Sequence, residues 1–224
     1  MMMLLVLQQC MKILILPVYV LYFTKIYNKI MHKLKETLFK NMQDFANPSG
    51  KLHLLEIGVG PGTNFQFYPP NSCVTCVDYN PNFQNCLLEN MAQNTHLHFE
   101  NFVVASAENL SSVSDNSVDV VVCTLVLCSV NSPRTALKEI LRVLKPGGAF
   151  YFIDHVAADR STWMYFWQQV FNPTWGYLTD GCSVLRETWK ELENVGFSKL
   201  NLQHLMGPLV LNLVRPHIYG YAVK

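Results

Sequence analysis

Glu56, Gly58, Gly60 and Gly62 stand at alternate positions where the apolar run Leu54-Leu55-Glu56-Ile57 ends. Asp78 follows 16 residues after Gly62, at the end of a second apolar run. Glycines so placed remove side chains where the backbone turns sharply and let a ligand approach the main chain. A carboxylate at the next strand end accepts hydrogen bonds from ribose hydroxyls. The chemistry is therefore nucleoside binding at the edge of a doubly wound sheet. The spacing G-x-G-x-G behind a leading acid departs from the dinucleotide form G-x-G-x-x-G.

The seven cysteines form no disulfide-like framework. Cys73 and Cys76 make a C-x-x-C without a second pair, and on a strand an offset of three sends the two side chains to opposite faces. That argues against a zinc or redox site, and no metal is expected. Cys123 and Cys128 lie in apolar surroundings and read as core rather than reactive. The cysteine usage reads as that of a chain facing a reducing compartment.

The elements that must position these groups alternate from Lys51 onward, as in a parallel sheet. Strands are expected at 52–57, 73–78, 97–104, 118–124, 149–154, 197–204 and 217–223. Helices are expected at 81–94, with Pro81 in its first turn, at 132–143, with Ser132 as cap, and at 186–195. The 224 residues suit one α/β domain with some extra length, and half of them are apolar. A net charge of +1 gives no nucleic-acid signal.

Residues 1–23 are strongly apolar, interrupted by Gln8, Gln9 and Lys12. They read as an uncleaved membrane anchor, either embedded in one leaflet or marginally spanning. Residues 24–50 read as a basic amphipathic helix and linker. Ile26, Ile30, Met31, Leu34, Leu38, Met42 and Phe45 recur at helical spacing beside the stripe Lys25, Lys29, Lys33. Such a helix suits an anionic cytosolic membrane surface or packing against the catalytic domain, which spans 51–224. Within that domain, 159–182 is an aromatic insertion carrying Trp163, Trp167 and Trp175. It reads as a lid over the site, a membrane-facing patch, or both.

The leading acid, the glycine spacing and Asp78 together resemble the class I S-adenosylmethionine-dependent methyltransferases. Leu141-Arg142-Val143-Leu144-Lys145-Pro146-Gly147-Gly148, placed before strand five, extends the likeness. The resemblance implies a Rossmann-like seven-stranded sheet with helices on both faces and strand seven antiparallel. It implies S-adenosyl-L-methionine as cofactor, with Glu56 receiving the α-amino group, directly or through water, and Asp78 the ribose hydroxyls. Ser106, Ala107 and Glu108 stand where adenine is held, Ser106 and Glu108 both being open as acceptors of its amino group. Thr124 and Leu125 stand where the site is floored under the methionine.

A narrower resemblance is carried by residues 123–130, Phe150-Tyr151-Phe152-Ile153-Asp154-His155-Val156-Ala157, Phe166-Trp167-Gln168-Gln169 and residues 215–224. These segments resemble the membrane-associated alkyl thiol S-methyltransferases of the endoplasmic reticulum and lipid droplets. That likeness implies methyl transfer to small aliphatic thiols, hydrogen sulfide included, while the positive charge flanking the anchor favours a catalytic domain that faces the cytosol. A monomer acting on a small apolar thiol, with no nucleic-acid partner, is expected. A free thiol is mostly protonated at neutral pH, so a base helps. His155 is the candidate base or positioner, Asp154 its orienting partner, although strand alternation sets the two apart, and Asp180 a further candidate. Two rival readings remain: methylation of a quinone precursor, lipid or amine, and a non-catalytic membrane or lipid-droplet protein that keeps the fold.

Overall fold

The computed structural model describes residues 16–209 and 211–224. A helix, α1 (Leu16–Phe39), precedes seven strands: β1 (His53–Ile57), β2 (Cys73–Asp78), β3 (His98–Val104), β4 (Val118–Thr124), β5 (Leu144–His155), β6 (Lys199–Met206) and β7 (Pro216–Val223). Between them lie α2 (Gln84–Gln93), α3 (Pro133–Val143), α4 (Trp163–Leu178) and α5 (Thr188–Asn194). The strand order is β3-β2-β1-β4-β5-β7-β6. β1 to β5 run parallel where they pair, and β7 runs antiparallel to both β5 and β6.

The central strands are apolar on both sides because both faces are covered. One face of β1, β4 and β5, with Leu55, Ile57, Val121, Cys123, Phe150 and Phe152, packs on α3 and α5. The other, with Leu54, Val120, Val122, Tyr151 and Ile153, packs on α1 and α2. The order reverses between β1 and β4, so their carboxyl ends diverge and open the crevice where such sheets hold ligands.

Several elements differ from the sequence expectation: β6 lies two residues further on than 197–204, and the helix expected from Pro81 opens as a 3-10 turn, Pro81–Phe83, before α2. β5 begins at Leu144 rather than Ala149, because Leu144 already pairs with Val118 before the register shifts to Val120–Ala149. The Lys145–Gly148 turn is thus an excursion within the strand. α5 starts at Thr188 rather than Arg186. Arg186 is held out of the helix, its carbonyl accepting from Ala157 N at 2.8 Å and its Nε donating to Cys128 O at 3.1 Å.

α1 is the larger difference. It runs without a break across the expected boundary at residue 23. Tyr27, Met31, Leu38 and Phe39 are buried in the sheet's core, while Ile26, expected on the apolar face, is exposed. Lys25, Lys29 and Lys33 face solvent. Residues 1–15 of the expected anchor lie outside the described residues; among the described residues no helix is long and apolar enough to cross a membrane.

Candidate active site

The turn after β1 wraps a cavity of about 220 Å³ at the carboxyl ends of β1, β2, β4 and β5. Gly58, Gly60 and Asp78 line one part of it, Thr124 and Leu125 its floor, and His155, Cys128 and Cys182 the opposite part. Gly58 adopts φ +64°, and a Cβ there would lie 2.2 Å from Val126 Cγ2. The turn therefore needs glycine for both conformation and space. Gly62 does not reach the cavity: a Cβ would meet the Phe65 ring at 2.3 Å, so its smallness serves packing.

Asp78 is tied to the turn it faces. Gly60 N donates to its Oδ2 at 2.9 Å and Asn80 N to its Oδ1 at 2.9 Å. Each oxygen keeps acceptor capacity for a second donor. Burial pushes the carboxyl above its ordinary range, the two N–H groups oppose that, and Asp180 across the cavity adds to it.

Beneath the turn lies a polar chain. Lys35 Nζ, on α1, donates to Asn64 Oδ1 at 2.8 Å and to Asn28 Oδ1 at 2.9 Å. The Asn64 amide donates to Glu56 Oε1 at 2.8 Å and to Thr124 Oγ1 at 3.0 Å. Burial raises the Glu56 carboxyl to about 7, opposed by Tyr68, Asn64 and the Lys35 ammonium. Burial also draws Lys35 down to about 8. Lys35 and Thr124 line the cavity while Glu56 and Asn64 lie behind it, so Glu56 is linked to the wall through Asn64.

At the far end, Cys128 follows β4 and Cys182 follows α4. Their sulfurs lie 3.2 Å apart. His155 Nδ1 lies 3.5 Å from Cys182 Sγ and 3.9 Å from Cys128 Sγ. The contact with Cys128 holds the Cys182 thiol well below its ordinary range, and His155 and the Trp175 indole act in the same direction. The same contact and burial push Cys128 up. In the neutral pair Cys182 donates to Cys128; once Cys182 ionises, the Cys128 S–H donates back. His217 packs 4.6 Å from His155, ring to ring. Burial pulls His217 down to about 3, so it is neutral near pH 7, with Nδ1–H donating to Arg215 O at 2.8 Å.

Other expected positions fall elsewhere. Asp154 is buried beneath the cavity rather than in its wall, and His155 Nδ1 meets sulfur, not that carboxylate. Asp180, at φ +55°, does line it. Ser106, Ala107 and Glu108 are absent from its wall. Glu108 instead accepts from Ser132 N at 2.8 Å and Asn131 N at 3.1 Å, fixing the start of α3. Ala107 belongs to the core. Of the three tryptophans only Trp175 reaches the cavity; Trp163 is 78% exposed and Trp167 47%. They form an outward aromatic row with Phe166 and Phe171 on α4. Buried Gln168 pins that helix to the body, accepting from Ala158 N at 2.8 Å and donating to Leu213 O at 2.9 Å.

Lys35, Asn64, Cys128 and Cys182 are the residues that sequence reasoning missed or read as core. Lys35 carried a signal, a lysine on the same helical face as Met31 and Leu38, outside the Lys25–Lys29–Lys33 stripe. Cys128 and Cys182 are 54 residues apart, and only the tertiary fold brings them together.

Residues 55–152 match a methyltransferase domain family. The chain is 61% identical over 208 residues to human thiol S-methyltransferase TMT1A, covering 93% of this chain and 85% of that protein. It is 51% identical over 197 residues to human thiol S-methyltransferase TMT1B, covering 88% and 81%. Among solved structures, a putative methyltransferase from Bacillus halodurans C-125 superposes with TM-score 0.60 at 18% identity, covering 83% of this chain and 98% of that one. That last likeness concerns the fold alone.

Proposed function

Since the chain belongs to the thiol S-methyltransferases, we infer that it transfers the methyl group of S-adenosylmethionine to the sulfur of small alkyl thiols. The products are a methyl thioether and S-adenosylhomocysteine. The residues present fit that cofactor. Gly58 and Gly60 leave the turn without side chains at those two positions, and Asp78 retains acceptors for vicinal hydroxyls. Lys35, an ammonium in the cavity wall, suits a carboxylate of the methionine tail. When bound, the cofactor supplies an electrophilic methyl carbon on a sulfonium.

The observation that carries the reading is one cavity joining this turn to the His155 end. Trp175 beside Cys182, with Leu125 and Val126 on the floor between the two ends, gives an apolar wall for an alkyl group. With Cys182 as thiolate, His155 Nδ1–H donates to it, which fixes the tautomer and leaves Nε2 with a lone pair. Nε2 is buried without a hydrogen-bond partner, and it is the acceptor we assign to the substrate S–H. Cys182 thus takes the orienting place expected of Asp154. Holding sulfur in line with the methyl in a dry site is the protein's main contribution.

We further propose that the protein works at a cytosol-facing endoplasmic reticulum or lipid-droplet surface. The exposed row Trp163, Phe166, Trp167 and Phe171, together with the solvent-facing Lys25, Lys29 and Lys33, supports it.

The test is a methyl-acceptor panel with labelled S-adenosylmethionine and an alkyl thiol, a quinol and an amine. Labelled methyl thioether is expected from the thiol alone. A methylated quinol with no thioether would overturn the thiol reading.

A further inference from the structure

The sulfur pair invites a second chemistry. Cys128 and Cys182 are the one pair of cysteines among the described residues whose sulfurs touch. They sit on separate segments that the backbone fastens together: Ser183 N donates to Cys128 O at 2.9 Å, and Arg186 Nε donates to the same oxygen at 3.1 Å. The two sulfurs would need to close by only about 1.2 Å in all to reach disulfide bonding distance. Cys182 follows Asp180 and Gly181, both at positive φ, in the short link between α4 and α5. Both cysteines line the cavity, so what enters it meets them.

A metal is the competing use of two cysteines and a histidine. The geometry speaks against it. Two thiolates on one tetrahedral zinc, each about 2.3 Å from the ion, stay roughly 3.8 Å apart, and these lie at 3.2 Å. A metal-bound imidazole almost always donates its other N–H to a carbonyl or carboxylate, and His155 Nε2 has no such partner.

We propose that Cys128 and Cys182 form a reactive dithiol that exchanges with low-molecular-weight disulfides entering the cavity and closes into an internal disulfide. The entry of small sulfur compounds rests on the thiol-methylation reading above. The Cys182 thiolate attacks one sulfur of the disulfide RSSR, the S–S bond breaks, and RS⁻ leaves. Cys128 then loses its proton and attacks the Cys182 sulfur of the mixed disulfide, expelling the second RS⁻. The protein is oxidised by two electrons, RSSR is reduced to two RSH, and the two cysteine protons end on those two thiols. The internal disulfide removes the thiolate that orients His155, so methyl transfer stops until excess thiol reverses the exchange.

The experiment treats the reduced full chain with hydroxyethyl disulfide under native conditions and maps the cysteines by differential alkylation and peptide mass spectrometry. A Cys128–Cys182 cross-link is expected, with two equivalents of mercaptoethanol released per link. In Cys128→Ser the reaction should stop at a mixed disulfide on Cys182, whereas Cys182→Ser should leave Cys128 unmodified on the same timescale. Methyl transfer should fall by about a hundredfold on oxidation and return with added thiol. The wild-type cross-link needs no variant, so a poorly folding mutant leaves the test intact. Both cysteines remaining free, adduct formation at other cysteines instead, or a stoichiometric bound metal that blocks the reaction would each overturn the proposal. Thiol methylation by the reduced protein is assayed in parallel. Its failure with the cross-link present overturns the methylation reading alone, and the reverse result overturns the dithiol alone.

Discussion

Lys35 Nζ donates to Asn64 Oδ1 at 2.8 Å, joining the N-terminal helix to the segment just after the glycine turn. The bond decides how the Asn64 amide points. Its oxygen is taken by the ammonium, so its nitrogen faces Glu56 and Thr124. A helix that the sequence presents as a membrane-surface element or as packing against the catalytic domain thereby contributes a side chain to the wall of the proposed cofactor site. Lys35→Met keeps the stem's volume and removes the charge, leaving the Asn64 oxygen unpaired. S-adenosylmethionine affinity is expected to fall by about tenfold, with some loss of thermal stability. Isothermal titration calorimetry measures it, and unchanged affinity would remove α1 from the site.

Asp78→Ala removes the acceptor assigned to ribose and also frees the N–H groups of Gly60 and Asn80. Cofactor binding should drop below detection in the same calorimetric assay, with the far-ultraviolet circular dichroism spectrum unchanged. Retained binding and rate would overturn the assignment.

How much of this was legible in the sequence follows from the range of each interaction. The strands and their order of polarity are local and periodic, so β1 to β4 stand nearly where the apolar runs put them. The glycine turn was legible because positive φ and a 2.2 Å approach to Val126 tolerate little but glycine. Glu56 was legible as a residue; its link to the cavity, through Asn64 to Lys35 and Thr124, was not, because those partners lie far apart in the chain. Ser106 and Glu108 were placed by likeness to a pattern, yet Glu108 is spent on the start of α3. Cys128 read as core because its neighbours in the chain are apolar. Its neighbour in space is another sulfur, and no spacing rule foretells a contact across 54 residues.

Burial raises Glu56 from 4.5 to about 7. The folded chain therefore holds a proton that the unfolded chain releases as pH climbs past its ordinary value. The contribution is fully present below about pH 4.5 and is lost as pH rises through about 7, amounting to about 3 kcal/mol. Glu56→Gln keeps the Asn64 bond and removes the titration. Thermal melts of the cofactor-free protein between pH 5 and about 8 should show a shallower decline in the variant than in the wild type. Parallel declines would mean that Glu56 does not titrate in this window.

Trp175 and Trp167 lie on one helix but have different tasks to perform. Trp175 lines the cavity, whereas Trp167 is 47% exposed in the outward row with Trp163 and Phe166. Trp175→Ala takes away apolar wall at the substrate end. It should raise KM for a butyl thiol by about tenfold while shifting KM for hydrogen sulfide little, because only the longer acceptor has an alkyl chain to bury. Trp163→Ser with Trp167→Ser leaves the cavity wall intact. In detergent, kinetics with water-soluble thiols should stay within about twofold of wild type, since a surface substitution moves little beyond its own contacts. On vesicles containing anionic lipid, the double variant's partition should fall by about tenfold, the exposed apolar area of the two indoles no longer leaving water. Flotation with labelled vesicles reads partition, and a thioether assay on the same samples reads rate. Unchanged partition would separate the aromatic row from the membrane, and a matching loss of rate in detergent would make the row part of the substrate path instead.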